Sequence, residues 1–432
     1  MSEAGADTVT VDIDDMLSLS SPPSKPSLFR VGDHLRSINP ENLRITIPDA
    51  YEPELIAIGP FHIHKRHLQK MQQHKFRYLY LLLQRTGESS VERYVTTVRQ
   101  LEDRARKYYA EDINLDKNEF VKMLILDGCF IIEFLYMFQD KKCRDEDDYI
   151  FQYEHITKQL LHDLMVFENQ IPFFIVDSLF KMIKRNNGDN IESLIYNLLQ
   201  NSIFPLEWKD LPNVTINGPH LLGIVHDLQC SSFATILSQV NTGSPVNMVN
   251  IHSAVELEKT GVSFEESESN VLFHIVFENK AMKIPKWEIS DSTESLFRNL
   301  IAYEHYYTGS SQKYVTEYVF FMHCLVRSPE DAAVLERSKI ISNLLGSYEM
   351  VHRVINLLGK NIIISGRSPY FRIFSDVSDH CAKIRNTWIA TLKREYFNSP
   401  WTAISVFAAI ILLGLTIIQT ACSILSLPQW SH

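Results

Sequence analysis

The sequence predicts a mainly α-helical domain with one small β-hairpin, followed by a single C-terminal transmembrane helix. Three observations predict this. Apolar residues recur at helical spacing through most of the stretch from His67 to Tyr396. One confident strand pair stands out, from Val271 to Ile289, where two apolar runs flank turn residues. From Tyr396 to Ser431 there is no Asp, Glu, Lys or Arg, which suits a hydrocarbon environment far better than a soluble core helix.

Composition sets the bounds. The chain has 432 residues, 45% of them hydrophobic, with 42 Lys+Arg against 52 Asp+Glu and a formal charge of −10. That is ample apolar material for a large core, and it excludes collagen, low-complexity fibre and wholesale disorder. The basic residues are scattered rather than striped, so no nucleic-acid partner is expected. Cys129, Cys143, Cys230, Cys324, Cys381 and Cys422 lie far apart without a C-x-x-C pair, and they read as reduced thiols of a cytosol-facing protein.

Residues 1–44 form an acidic tail, with Asp7, Asp12, Asp14, Asp15 and the stretch SSPPSKPS; it is expected to be disordered and carries no secretory signal. The folded domain is expected over 45–395. Its first helix, over 67–85, places Leu68, Met71, Tyr78, Leu79 and Leu82 on one face. A second covers 91–110. The third, 118–138, has only Asp127 and Glu133 as charges beyond Met123, too short and too acidic for a membrane, and is expected to be the central core helix. RDEDD at 144–148 reads as a solvated loop.

The apolar stretch 163–184 contains Pro172, which has no N–H to donate and disfavours helix at Ile171, so two helices should meet there at a kink. The freed backbone groups fall beside Glu168, Asn169 and Gln170, whose side chains are suited to satisfy them. Residues 205–246 are rich in turn signals around one short helix at 220–228. The hairpin follows, its second strand, 281–289, expected at an edge because of Pro285. Helices return over 294–307, 313–326, 329–345, 347–358 and 376–396.

The span itself is expected over 401–427, after a juxtamembrane stretch at 396–400 and before a short tail at 428–432. Twenty-seven helical residues reach about 40 Å, enough for a hydrocarbon layer of about 30 Å. Trp401 and Leu427 bound it and Gly414 and Gln419 lie within it. Ser405 and Ala409, with Thr416, Gln419 and Thr420, would also suit a helix pair, although an isolated anchor is the reading adopted. Lys383, Arg385, Lys393 and Arg394 precede the span, which puts the bulk of the chain in the cytosol, most naturally at the plasma membrane. The sequon Asn213-Val214-Thr215 should then be bare.

Signatures of chemistry are sparse. With 15 glycines and none two apart, there is no dinucleotide fingerprint, phosphate loop or nucleophile elbow. His62, His64 and His67 are interleaved with Lys65 and Arg66, which repel a cation, and Glu349 to His352 is only half of a di-iron motif. Asp127, Glu133 and Glu168 could form an acid–base pair or could each be neutralised by a basic neighbour; no nucleophile or cofactor loop accompanies them, which favours neutralisation. No catalytic residue, cofactor or metal is expected.

Taken in order, the blocks IPDAYEPELIAIGPFH, HKFRYLYLLLQR, NEFVKMLILDGCFIIEFL, DLMVFENQIPFF, HLLGIVHDL, AVELEKTGVSF, IPKWEISDSTESLFRNLIAYEH and YFNSPWTAISVFAAIILLGLTIIQT resemble a plant family, domain of unknown function 247. The matching positions include Ile47, Pro48, Tyr51, Pro53, Gly59, Pro60, His62, Asp127, Glu168, Asn169, Gln170, Pro172, Arg298, Asn299 and Glu304. The resemblance implies a plant origin, a helical domain and a C-terminal membrane helix, and no catalytic residues to carry over. Some grass members are implicated in pollen–stigma self-incompatibility. The expected function is therefore a membrane-anchored interaction, recognition or signalling component with an unknown protein partner; the alternative is a membrane-associated enzyme with an unfamiliar acid–base site.

Overall fold

A computed structural model describes residues 26–36, 50–141, 144, 147–183, 190–202, 218–239, 252–269, 271–307, 313–364, 368–382 and 400–425. In chain order the helices are α1 (Asp33–Arg36), α2 (Gln72–Thr86), α3 (Glu92–Arg106), α4 (Lys117–Gln139), α5 (Tyr149–Gln152), α6 (Glu154–Leu164), α7 (Phe173–Ile183), α8 (Ile191–Ser202), α9 (Leu221–Gln239), α10 (Ala254–Lys259), α11 (Thr293–Tyr306), α12 (Tyr314–Leu325), α13 (Pro329–Arg337), α14 (Tyr348–Leu358), α15 (Phe371–Cys381) and α16 (Pro400–Leu425). The strands are β1 (Ser263–Glu266), β2 (Val276–Glu278), β3 (Ala281–Ile284), β4 (Trp287–Ile289) and β5 (Ile341–Asn343). Among the described residues the chain is mainly helical with two small sheets.

Helix α4 is the axis of the first half. Asp116 and Glu119 exchange hydrogen bonds with each other's backbone N–H groups in a capping box, and 17 of the 23 helical residues are buried. A helix apolar all round must be covered on all sides, and α2, α3, α7 and α8 cover it. Gly128 is what lets α7 approach, since a Cβ there would lie 2.5 Å from Leu179. The start of the first predicted helix is a 3-10 turn, Arg66–Met71, and Gly87, at φ 72°, closes α2 in the left-handed conformation.

Several expectations need correction. Residues 26–36, assigned to a disordered tail, pack against the domain: Leu28, Val31 and Leu35 are buried, and Leu28 forms a parallel bridge with Tyr109. Residues 1–25 and 37–49 lie outside the described residues. The break at Pro172 is an eight-residue irregular segment, 165–172, with α7 beginning directly after the proline. Helix α9 continues well past Leu228, and Ser231, Thr235 and Ser238 return their hydroxyl hydrogens to carbonyls one turn back.

The hairpin exists as β2 and β3, in register Val276↔Lys283 and Glu278↔Ala281, with Asn279 and Lys280 both at positive φ in its two-residue turn. Its second strand is not at an edge, however: β1 pairs parallel to β3 on the other side, making β3 central. Pro285 acts by ending β3, so Trp287–Ile289 starts a separate strand that pairs in parallel with β5. Strand β5 lies inside the stretch expected to be helical; α13 stops at Arg337, and Lys339 turns the chain at φ 62°. The last predicted helix is α15, earlier than expected, and residues 383–399 lie outside the described set.

Candidate functional site

The signature segment 50–62 runs through the interior without a strand ladder, yet its backbone N–H groups are buried donors that need partners. Side chains from far along the chain supply them. Asp163 accepts from the N–H groups of Glu54 at 3.0 Å, Leu55 at 2.6 Å and Ile56 at 2.8 Å. Asn169 accepts from Ile58 N–H at 2.6 Å and donates to the Ile56 and Asp163 carbonyls. Asp127 accepts from Gly59 N–H at 2.7 Å. Gly59 sits at φ +79°, where an added Cβ would lie 2.3 Å from the Gln170 carbonyl oxygen, so only glycine fits.

The loop that carries Asn169 is itself held. Gln170 donates to the Leu164 and Val166 carbonyls and accepts from Leu222 N–H. Asn299 of α11 accepts from Phe167 N–H at 2.8 Å and donates to the Ala50 carbonyl at 2.7 Å, tying together two segments more than a hundred residues apart. Arg298 pairs with Glu294 at 2.8 Å and bears on the buried Tyr51 hydroxyl, whose pKa burial nevertheless raises.

The three acids singled out in the sequence do not meet. Each is neutralised separately: Asp127 by Lys75, both 1% exposed; Glu133 by Arg85; and Glu168 by Arg36, with Arg30 at 3.8 Å. Burial raises the Asp127 pKa against the pull of Lys75 and Gly59 N–H. Lys75 also donates to the Ala57 carbonyl. Glu168 further accepts from Val31 N–H at 2.5 Å, so it fastens the 26–36 segment to the domain. His62 is buried with Nε2 3.6 Å from Glu168; burial, aided by Lys65, drives its pKa down to about 3, so it is neutral. His67 turns to the Pro53 carbonyl instead. The three histidines of HIHKRH thus do not gather as ligands.

A second buried cluster lies at the far end of α11. Glu304 accepts from Val315 N–H at 2.9 Å, Thr316 N–H at 2.8 Å and the Thr316 hydroxyl at 2.6 Å, satisfying the start of α12. Its Oε1 is 2.8 Å from His226 Nε2, whose other nitrogen is 3.2 Å from Asp227 Oδ1. Cys230 Sγ is 3.5 Å from the same Nε2. His226, Cys230 and Glu304 offer ligand atoms all within 4.8 Å of one another, the one such set among the described residues. Burial opposes the charge on His226, but Cys230 and the two carboxylates outweigh it and raise its pKa; burial raises that of Cys230.

The structure thus gathers Tyr51, Gly59, His62, Asp127, Glu168, Asn169, Gln170 and Asn299 into one knot, with Pro53 and Pro60 buried in the segment and Pro172 preceding α7. Glu304 belongs to the other cluster. Ile47, Pro48, Leu427 and the sequon Asn213 lie outside the described residues, as does the side chain of Trp401; Gly414 and Gln419 lie on α16. Lys75, Asp163, Arg36, His226 and Cys230 were not singled out from the sequence. The i, i+4 spacing of His226 and Cys230 was visible there, but their meeting with Glu304 was not.

A surface groove of 720 Å³ is lined by Arg104, Tyr108, Phe174, Lys181 and Tyr307 among others. Lys181 pairs there with Asp177 at 2.6 Å, and Arg104 lies over the Phe174 ring at 4.0 Å. Among the described residues no nucleophile and base converge on it.

Fold and site define a class: a mainly helical protein with small sheets whose buried polar residues hold its own non-repetitive backbone. The chain belongs to the family described as plant protein of unknown function, domain of unknown function 247, whose match spans residues 37–415. It is 28% identical over 423 residues to the UPF0481 protein At3g47200 of Arabidopsis thaliana, covering 92% of this chain and 86% of that protein. It is 20% identical over 472 residues to the putative UPF0481 protein At3g02645 of the same plant, covering 88% of each. No solved structure matches the chain.

Proposed function

We propose that the protein is a single-pass membrane-anchored interaction component, with its helical domain on the cytosolic face and helix α16 in the bilayer. The observation that carries this reading is the surface of α16: Ile404, Phe407, Ile410, Ile411, Leu412, Leu413, Leu415, Ile417 and Ile418 are each 58–67% exposed. An apolar surface of that kind calls for a non-aqueous neighbour, and 26 residues reach about 39 Å. Thr416 and Thr420 return their hydroxyl hydrogens to carbonyls of the preceding turn, as suits lipid surroundings. Among the described residues Leu221–Ser238 is the helix long and apolar enough to span, beside the shorter apolar run Phe407–Thr420 of α16, but more than half of Leu221–Ser238 is buried in the domain, and it holds His226 and Cys230 in the core.

Asp127, Glu133, Asp163, Glu168, Asn169, Gln170 and Asn299 are committed to ion pairs and backbone, which supports recognition over chemistry. The family resemblance makes self-incompatibility-type recognition at the plasma membrane the most specific form of this reading. The test is protease protection of the full chain on sealed vesicles, with glycosidase treatment reporting on Asn213. Digestion from the cytosolic face with a bare Asn213 is expected. Extraction of the chain by carbonate would overturn the anchor, and a protected, glycosylated domain would overturn the orientation.

A further inference from the structure

We propose that His226, Cys230 and Glu304 form a binding site for one thiophilic divalent cation of the zinc type, which ties α9 to α11. The site is separate from the anchor and from the 50–62 knot. Its ligand atoms come from two packed helices: His226 and Cys230 share a face of α9 at i, i+4, and Glu304 faces them from α11. The separations, 2.8 Å from Nε2 to Oε1 and 3.5 Å from Nε2 to Sγ, compare with about 3.3–3.6 Å between ligands around a tetrahedral zinc with bonds of about 2.0–2.3 Å. An opening of about half an ångström between His226 and Glu304 admits the ion.

The surroundings supply what a metal site requires beyond its ligands. Asp227 Oδ1 stands 3.2 Å from His226 Nδ1, so the imidazole is oriented through one nitrogen and presents the other inward, as in carboxylate–histidine–metal arrangements. Glu304 Oε2 is fixed by Thr316, while Oε1 keeps Val315 N–H on one lone pair and has a second for the ion. On binding, the ion takes the place of the hydrogen between Nε2 and Oε1, and that hydrogen and the Cys230 thiol hydrogen both leave as protons to water. Three protein ligands leave the fourth position to a water. A thiolate with an imidazole selects zinc over magnesium or calcium, which prefer all-oxygen sets. Nucleophilic catalysis by the same Cys–His–Asp set is the weaker reading, because Cys230 is 4% exposed and cannot meet a substrate.

The test uses the full chain purified in detergent. After exhaustive dialysis, elemental analysis is expected to give about one zinc per chain, and cobalt exchanged into the site is expected to show a thiolate-to-metal charge-transfer band. Cys230→Ser should abolish the band, Asp227→Asn should weaken zinc binding about 10–100-fold, and Cys324→Ser should change neither. The cobalt spectrum of the unaltered chain decides the matter even if a variant fails to fold: cobalt bound without the band, or no metal retained, overturns the proposal and leaves a buried imidazolium–carboxylate pair. A band that persists in a folded Cys230→Ser protein also overturns it.

Discussion

Replacing Lys75 by Met should be among the most damaging single changes in the domain, and the buried pair with Asp127 shows why. The two charges sit 2.5 Å apart with both side chains 1% exposed. Their gross attraction at an effective dielectric of about 20 is on the order of 6–7 kcal/mol, most of it offset by desolvation of the two ions. Removing the ammonium leaves the desolvation of Asp127 uncompensated and the Ala57 carbonyl without its donor, a loss of about 3–5 kcal/mol. Asp127→Asn should cost a comparable amount by stranding the ammonium. The double replacement, which leaves no buried charge and keeps an oxygen for Gly59 N–H, should cost at least about 2 kcal/mol less than the sum. Urea unfolding of the four proteins in detergent, followed by tryptophan fluorescence, gives the cycle. A pH series adds a sign: burial already raises the Asp127 pKa and loss of Lys75 raises it further, so the folded state holds more protons than the unfolded one. The penalty of Lys75→Met relative to wild type should therefore shrink as pH falls and grow as pH rises through the folded pKa. Single replacements costing under about 1 kcal/mol, or additive costs, would refute the reasoning.

Other consequences can be measured with the same protein. Gly59→Ala, at φ +79° and 2.3 Å from the Gln170 oxygen, should lower stability by at least about 2 kcal/mol in thermal unfolding. Asn169→Leu removes one acceptor and two donors from buried backbone partners and should cost about 2–4 kcal/mol, while Gln73→Ala on the exposed face of α2 should be near neutral by the same assay. His62 and His220, with pKa values near 3, and His305, near 4, are neutral in the fold but protonate near 6.5 when unfolded. The contribution of these three groups to stability should be full above about pH 6.5 and fall on acidification towards 3–4, by up to about 1.4 kcal/mol per pH unit for each group; acid-induced unfolding below about pH 6.5 monitored by circular dichroism checks this. On the proposed anchor, Leu413→Arg in α16 should release a measurable fraction of the chain from membranes, since an arginine at the middle of a span costs about 2.5–3.5 kcal/mol, with fractionation as the readout.

How much was legible depended on whether the cause was local. Helix α4 could be read because its apolar run is contiguous, with only Asp127 and Glu133 as charges beyond Met123. The polar triplet at 168–170 could be read as backbone-satisfying because Pro172 stands beside it. Which backbone it satisfies could not, since the 54–58 segment is more than a hundred residues away and nothing in either stretch names the other. Strand β5 was hidden because Ile340, Ile341, Leu344 and Leu345 also fit a helical stripe, and the turn at Lys339 uses a left-handed lysine where glycine would have signalled a break. β3 became central through β1, whose SFEE sequence has little apolar alternation to announce a strand. The 26–36 segment was misjudged because Leu28, Val31 and Leu35 are too few, among serines and prolines, to register as a periodic element.

That last segment has a practical bearing on where this domain begins. The family match opens at residue 37, but the physical unit opens at least eleven residues earlier. A recombinant fragment trimmed to the family boundary would lose Arg30 and Arg36 from beside Glu168 and uncover the sites that Leu28, Val31 and Leu35 fill. Poor behaviour of such a fragment would then reflect the missing segment and not the removal of α16.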